Sequence, residues 1–341
     1  KDIRSEVNQR QFGFQFPVVS CGATYAPKRV WGFADVEADG SAHFRVPANV
    51  PIYFLPLDAE GRAVQRMRTF THLMPGERQS CIGCHADRNY ASPPAAGRGG
   101  RSLAAARPAQ TLVEPSWGRR DGFSFARVVQ PVLDAHCVRC HDERHALDLS
   151  GDRTDYFNVA YENLARRGTQ AEHGGDARGG MAGFGKSPYT SWIPTFNGCE
   201  SNILQIEPKT WGSPVSKLAE VVIAGHPDAK GARRVELNDD ERLRILLWID
   251  LNVPFYGTSQ SRQPELRGCR RILPPGLDAT LKEIAARRKI ELPTTFFVRL
   301  DHPEKNPFLA VPLARGDFTS RDDPDYRKIL ACFDGVQDAL A

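Results

Sequence analysis

The chain has 341 residues, of which 41% are hydrophobic and 25% are charged, a composition typical of ordinary soluble proteins. Its net charge of +4 is too small to predict a nucleic-acid-binding surface. The longest apolar run, residues 245–255, is interrupted by Asp250 and Pro254 and is too short to span a bilayer. A chain of this length has room for two or three domains.

The first predicted elements are short strands. Apolar and polar residues alternate over residues 30–37 and 41–46, on either side of a turn at residues 38–40. A second pair of alternating segments surrounds residues 59–61. Because alternating segments on both sides of a glycine-containing turn are typical of β-hairpins, the pattern predicts a small β-sandwich at residues 28–72. We place it in a first domain of residues 1–92.

A change of composition separates this domain from the rest of the chain. Residues 91–119 are rich in Pro, Gly, Ala and Arg, which indicates a linker or a long surface loop, placed at residues 93–120. Helical periodicity begins after it. One apolar face of the predicted helix is formed by Phe125, Val128, Val129, Val132 and Leu133.

Local capping signals predict the later helices. Ser216 caps a helix that Gly225 ends, Asn238 and Glu241 form a capping box for the next helix, and Asp323 followed by proline begins another. Between the helical periodicity that begins near Phe125 and these signals, residues 168–198 contain eight glycines and no periodicity. A loop of this length is either functional or a solvated insertion.

The predicted fold class is therefore α+β. A small β-sandwich is followed by a mainly α-helical domain with long loops at residues 121–260. A C-terminal extension with short helices completes the chain at residues 261–341.

The sequence contains two copies of the pentapeptide C-x-x-C-H, which indicate its functional sites. In this motif the two cysteines form thioethers with a c-type haem, and the histidine is held where its imidazole binds the iron. With 8 Cys and 9 His in the chain, one copy is expected by chance roughly once in 200 such sequences, so two copies are not accidental. The pattern predicts two covalently attached haems, held by Cys81, Cys84 and His85 and by Cys137, Cys140 and His141. The helical domain at residues 121–260 is accordingly predicted to be cytochrome c-like.

Two other interpretations use the same cysteines. Two C-x-x-C pairs are also compatible with a four-thiolate zinc site, although the intervening segment is long and zinc needs no histidine after each pair. A thioredoxin-type redox pair would lie at a strand-to-helix junction, and no such pattern is visible. The remaining cysteines are either free or paired, and the sequence does not choose among the pairings of Cys21, Cys199, Cys269 and Cys332.

The second axial ligand of each iron would decide what the haem does. A strong ligand makes an electron carrier, whereas an open position permits substrate chemistry. For the second haem we predict His226, with Met181 and His173 as alternatives. The candidates for the first haem are His43, His72, Met74 and Tyr90. We expect His136 and His145, which flank the second motif, to face solvent or to contact the haem propionates.

Four stretches of sequence together resemble one family. They are residues 30–88, which end in CIGCHADR, residues 123–142 (FSFARVVQPVLDAHCVRCHD), residues 241–257 (ERLRILLWIDLNVPFYG) and residues 318–330 (FTSRDDPDYRKIL). Over about residues 20–340 the chain resembles the middle and C-terminal portion of the hydrazine synthase alpha subunit and its related multihaem c-type cytochromes. In that family a β-propeller precedes this portion, and the chain contains no counterpart of it.

The resemblance implies a role for each haem. The first corresponds to a catalytic-type haem, for which Tyr90 is the nearest match to an iron-binding tyrosine that follows the motif. The second corresponds to a bis-histidine electron-transfer haem with His226. We therefore expect a dihaem portion of a multihaem oxidoreductase that transfers electrons and works with a redox partner protein or with other subunits of a larger complex. The alternatives are a catalytic haem domain acting on small nitrogen species and a haem-free zinc-binding or interaction domain.

The predicted haems also imply a compartment. The chain begins Lys-Asp-Ile-Arg, without an initiator Met or an apolar signal region. Because c-type haem is attached outside the cytoplasm, we expect an export signal, and a further domain, upstream of residue 1. The expected location is the periplasm or another extracytoplasmic space.

Overall fold

The computed structural model describes residues 18–20, 26–67, 69–81, 102–142, 144–145, 147–166, 193, 207–260, 270–293, 295 and 297–336. Its α-helices are named here in chain order. They are α1 (Gln130–His136), α2 (Val159–Tyr161), α3 (Lys217–Ala224), α4 (Asp239–Asp250), α5 (Leu277–Arg288), α6 (Pro307–Arg315) and α7 (Pro324–Ala331).

Shorter helical turns accompany these helices. π-Helical turns precede α1 and follow α2, at Phe125–Val129 and Glu162–Arg166, and 3₁₀ turns lie at Ala104–Ala106, Ser213–Val215 and Pro303–Lys305. No described helix has the length and apolarity needed to cross a bilayer.

The predicted β-sandwich at residues 28–72 does not form. In the ranges that the structure describes there are isolated β-bridges but no strand or sheet, so the predicted α+β class is wrong and the regular structure is mostly helical. The turn at residues 38–40 is present. Beyond it, however, the two arms pair with a distant segment instead of with each other, since Phe33 bridges Val113 and Phe44 bridges Gln110.

The second predicted hairpin is interrupted by a change of register. Leu57 bridges Ala63 next to the turn, and Ile52 bridges Thr71 farther out. Between the two bridges one arm advances five residues, from 52 to 57, and the other advances eight, from 63 to 71. Because the arms differ by three residues, a continuous ladder cannot form between them. Pro56 also removes a backbone donor from the shorter arm.

The main core, the largest cluster of buried apolar side chains, lies between α1, α2 and α4. Phe125 is at its centre, with ring centroids 4.9 Å from Trp248 and 5.3 Å from Tyr161. Aromatic pairs at such separations each contribute about 0.5–1.5 kcal/mol beyond the burial of their area. Phe33 and Tyr53 pack against the same cluster. Part of the N-terminal segment therefore shares a core with the helices, and the domain boundaries stay a prediction.

The helix signals in the sequence are confirmed. The Ser216 side chain accepts the Ala219 N–H at the start of α3, and Gly225 ends that helix with φ +75°. Asn238 and Glu241 form both hydrogen bonds of a capping box at the start of α4. At α7 the cap is an aspartate followed by proline, as predicted.

The C-terminal core is a second cluster, formed by residues of α5, α6, α7 and the segments between them. Arg288 joins α5 to the start of α7 through Asp323 and Asp325. An ion pair of 2.7 Å between Arg299 Nη2 and Asp148 Oδ2 links this part of the chain to the segment that follows the second C-x-x-C-H motif. Both side chains of that pair are largely buried.

Candidate functional site

The second C-x-x-C-H motif forms a tight turn at the end of α1. The Cys137 N–H donates to the Leu133 carbonyl and so extends the helix by one residue. The N–H groups of Cys140 and His141 both donate to the Cys137 carbonyl, at 3.1 and 2.9 Å. The turn therefore brings both cysteines and the histidine of the motif close together.

Both thiols of the motif are free. Cys137 is half-buried and packs against the main core, whereas Cys140 is exposed. Burial raises the pKa of the Cys137 thiol to about 11. A redox-active C-x-x-C pair needs a thiolate, which the burial of Cys137 disfavours. Within the described ranges, no three His, Cys, Asp or Glu side chains converge as a set that could hold a metal ion.

The imidazole of His141 is held in one tautomer. Its Nδ1 lies 3.1 Å from the Leu147 carbonyl oxygen. Because a carbonyl only accepts hydrogen bonds, Nδ1 carries the proton and the lone pair of the neutral ring is on Nε2. Burial lowers the pKa of His141, and the nearby charge of Arg234 acts in the same direction. The ring is thus kept neutral, as a metal ligand must be.

His226 is delivered to the motif by the end of α3. It follows Gly225, and its N–H donates to the Val221 carbonyl at 2.8 Å. Its φ of +50° is uncommon for a residue with a side chain. The His226 ring centroid lies 5.9 Å from that of His141, with the ring planes at 59°.

A second contact fixes the loop that carries His226. The Arg139 guanidinium, inside the motif, donates from Nη2 to the Arg234 carbonyl at 2.9 Å. The backbone N–H of Arg234 in turn donates to the Gly225 carbonyl at 3.0 Å. These bonds connect the motif turn to the residues on both sides of His226.

The separation of the two imidazoles fits a shared metal ion. A bond from a first-row metal to imidazole is about 2 Å long, so the centroids of two rings that would bind the same metal can be at most roughly 6 Å apart. The 5.9 Å between His141 and His226 is within this limit. With the free thiols of Cys137 and Cys140, these side chains have the chemistry that a covalently attached haem requires.

The two flanking histidines have different environments. His136 Nε2 lies 3.0 Å from Glu241 Oε1, which connects the end of α1 to the cap of α4. The His145 ring lies against His141, with centroids 4.4 Å apart, and its Nδ1 accepts the Leu147 N–H at 3.1 Å. The sequence analysis missed this contact. Only the four-residue spacing between His141 and His145 could have suggested this contact. That spacing brings side chains together in a helix, but this segment is a turn and not a helix.

Only part of the first motif falls within the described residues. Cys81 is free and exposed. The predicted partners Cys84, His85 and Tyr90 lie outside the described residues, as do Met181, His173, Cys21, Cys199 and Cys269. The first haem and the zinc alternative therefore stay predictions.

The other ligand candidates for the first haem are within the described residues. His43 Nδ1 lies 3.1 Å from the Arg107 carbonyl oxygen. His72 and Met74 are exposed. None of these positions selects one ligand. Cys332, the remaining cysteine, is free, with its Sγ 3.6 Å from Thr280 Oγ1.

Comparison with known proteins identifies a relationship. Residues 4–86 match the family described as the hydrazine synthase alpha subunit middle domain. Over 290 residues the chain is 23% identical to hydrazine synthase subunit alpha of Kuenenia stuttgartiensis, in a match that covers 69% of this chain and 34% of that protein. The chain thus spans about a third of the length of the curated relative it matches. No solved structure matches it. The resemblance seen in the sequence is confirmed: the chain is a distant relative of the hydrazine synthase alpha subunit, and residues 4–86 match that family's middle domain.

Proposed function

We propose that this chain is a dihaem c-type cytochrome portion of a periplasmic multihaem oxidoreductase, and that its second haem site transfers electrons. The observation that carries the proposal is the 5.9 Å separation of His141 and His226 beside two free thiols. A haem attached there would supply a one-electron iron couple. If His141 and His226 both held the iron, no position would remain for a substrate, and this favours electron transfer over catalysis.

The chain's own residues have separable roles in this proposal. Cys137 and Cys140 attach the haem, and His141 and His226 bind the iron. The Leu147 carbonyl keeps the His141 lone pair on Nε2, as the 3.1 Å hydrogen bond that Nδ1 donates to it supports. The loop after α3 sets the position of His226.

The test is expression with an export signal beside the c-haem assembly machinery. A pyridine haemochrome assay counts the haems, and two are expected. In His226→Ala the second haem should become high-spin, because it loses one axial ligand. His302→Ala is a matched control, since His302 belongs to the C-terminal extension and its ring lies near the carboxylates of Asp152 and Glu304. It should leave the spectrum unchanged.

Two outcomes would contradict the proposal. An unchanged low-spin spectrum in His226→Ala would remove His226 as a ligand. A colourless protein that purifies with zinc, after export through a competent assembly system, would favour the haem-free alternative.

A second candidate function concerns the first motif. Cys81, Cys84 and His85 fall inside the stretch that matches the hydrazine synthase alpha subunit middle domain. This favours a catalytic haem that acts on small nitrogen species, with Tyr90 as the candidate ligand. Carbon monoxide binding to half of the reduced haem would support it, and Tyr90→Phe should then alter that half of the spectrum. If no haem binds carbon monoxide, both irons are six-coordinate and only electron transfer remains.

The proposal also includes partners. The curated relative is named as a subunit. By extension, we expect this chain to work with a redox partner protein or with other subunits. Purification of the tagged chain from its own organism, followed by identification of co-purifying haem proteins, tests this. A chain that purifies alone at its monomeric mass would contradict it.

A further inference from the structure

One buried residue is held between two histidines at the candidate site. The Leu147 carbonyl accepts a hydrogen bond from His141 Nδ1, and the Leu147 N–H donates to His145 Nδ1. Both bonds are 3.1 Å long. The Leu147 side chain is 4% exposed and belongs to the main core. The residue is therefore anchored at its side chain and at both of its backbone groups.

The Nδ1 atom donates a hydrogen bond in His141 and accepts one in His145. The His141 Nδ1 faces an acceptor and must donate, whereas the His145 Nδ1 faces an N–H and must accept. The proton of neutral His145 is therefore on Nε2. The rings are also in edge-to-face contact, with centroids 4.4 Å apart and planes at 67°. His145 thus touches His141 directly and also acts on it through Leu147.

We propose that His145 is a positioning residue for His141. By accepting the Leu147 N–H, it keeps the Leu147 carbonyl aimed at His141 Nδ1. The inference rests on the proposed haem site, since His141 is the iron ligand there, and it adds the residue that tunes this ligand. A hydrogen bond at Nδ1 increases the basicity of Nε2, which stabilises the oxidised state of a bound metal. Loss of the His145 acceptor should therefore raise the midpoint potential of the second haem.

Two substitutions separate the acceptor from the ring. His145→Ala removes both. His145→Asn removes the ring but restores an acceptor, because an asparagine side chain can accept the backbone N–H two residues further along. In a spectroscopic redox titration, we expect an upward shift in His145→Ala and a potential near wild type in His145→Asn. His302→Ala is again the control and should not shift the potential.

A potential that shifts in His145→Ala and returns in His145→Asn would exclude a purely structural role. Two other results would overturn the inference. An unchanged potential in His145→Ala would overturn it. Equal shifts in the Ala and Asn variants would also overturn it, because the ring contact would then be the cause and not the hydrogen bond to Leu147.

Amide hydrogen exchange at Leu147 provides a readout that does not depend on the iron. Exchange should be faster in His145→Ala than in wild type and should be slowed again in His145→Asn. If the haemochrome assay finds no haem on Cys137 and Cys140, the proposed function fails, and the exchange rates still decide whether His145 holds Leu147. If haem is present and neither the potential nor the exchange responds, only the inference about His145 fails.

Discussion

The carboxyl group of Asp250, at the end of α4, connects three segments of the chain. Its Oδ2 accepts the Ala63 N–H at 3.0 Å and the Ser213 hydroxyl at 2.7 Å, and its Oδ1 accepts the Ser213 N–H at 2.7 Å. The side chain is completely buried. Burial is the largest influence on its pKa and raises it from the ordinary value of 3.8 to about 6, against the hydrogen bonds that lower it.

This pKa predicts how stability depends on pH. Well below pH 3.8 the carboxyl group is protonated in both the folded and the unfolded chain. As the pH rises towards 6, the unfolded chain releases its proton before the folded chain does, so the free energy of unfolding falls. At about 1.36 kcal/mol for each unit of the difference between the two pKa values, Asp250 removes about 3 kcal/mol of stability once the pH is well above 6. Asp250→Asn has no such titration.

The assay is urea unfolding followed by far-ultraviolet circular dichroism, at several pH values between 3.5 and 7. The free energy of unfolding of wild type minus that of Asp250→Asn should fall by about 3 kcal/mol across this range. Asp322→Asn is the control, because Asp322 is exposed and its substitution removes no buried carboxyl group. A wild-type-minus-Asn difference that stays constant or increases with pH would refute the reasoning, since the hydrogen bonds would then outweigh burial.

Two further substitutions test contacts that support the candidate site. Arg299→Met leaves the Asp148 carboxylate buried without its 2.7 Å partner and should lower the free energy of unfolding by about 3–5 kcal/mol, as measured by urea unfolding. Gly225→Ala places a Cβ 2.7 Å from the Val235 carbonyl oxygen at a residue with φ +75°. It should displace His226 and convert the second haem to its high-spin form, as measured in the visible spectrum.

The Arg299 and Gly225 substitutions each have a control variant. Arg327→Met breaks an exposed pair with Asp322, which should cost no more than about 1 kcal/mol. If Arg299→Met costs as little, the buried pair does not stabilise the fold. Gly231→Ala changes another glycine with positive φ in the same loop, where an added Cβ has no neighbour within 4 Å. If both glycine variants keep a low-spin spectrum, the close packing at Gly225 does not set the position of His226.

The sequence predicted features that depend on neighbouring residues. The caps at Ser216 and Asn238 were correct because a cap joins a side chain to a backbone group three residues away. The β-sandwich failed because strand pairing depends on distant residues. Phe33 pairs with Val113, 80 positions further along, and the alternation around Phe33 does not encode that partner.

The same distinction applies to the candidate site. The cysteines and the histidine of the second motif are adjacent in sequence and could be identified from it. His226 was suggested by the end of its helix, and its closeness to His141 became visible only in the structure. The role of Leu147 could not be predicted, because it depends on a backbone N–H and a carbonyl that every residue type except proline offers.

The contact between His136 and Glu241 joins the residue before the second motif to the cap of α4. Glu241 Oε1 lies 3.0 Å from His136 Nε2, and its Oε2 accepts the Asn238 N–H at 3.0 Å. The hydrogen bond from His136 is the main cause that holds the pKa of Glu241 below its ordinary value of 4.5. Its stabilising contribution is therefore complete above that pH and is lost as the pH falls through the lowered pKa.

A double-mutant cycle measures this contact without removing the cap. Glu241→Gln keeps an oxygen for the Asn238 N–H but removes the charge, and His136→Ala removes the partner. From urea unfolding of the single and double variants at pH 6, we expect a coupling energy of about 0.5–1 kcal/mol. The coupling should decrease when the cycle is repeated at a pH low enough to protonate Glu241, because the carboxylate that accepts from His136 is then lost. Coupling of zero at pH 6 would show that the motif turn is held against α4 by the main core alone, since Cys137 and Leu243 both pack there.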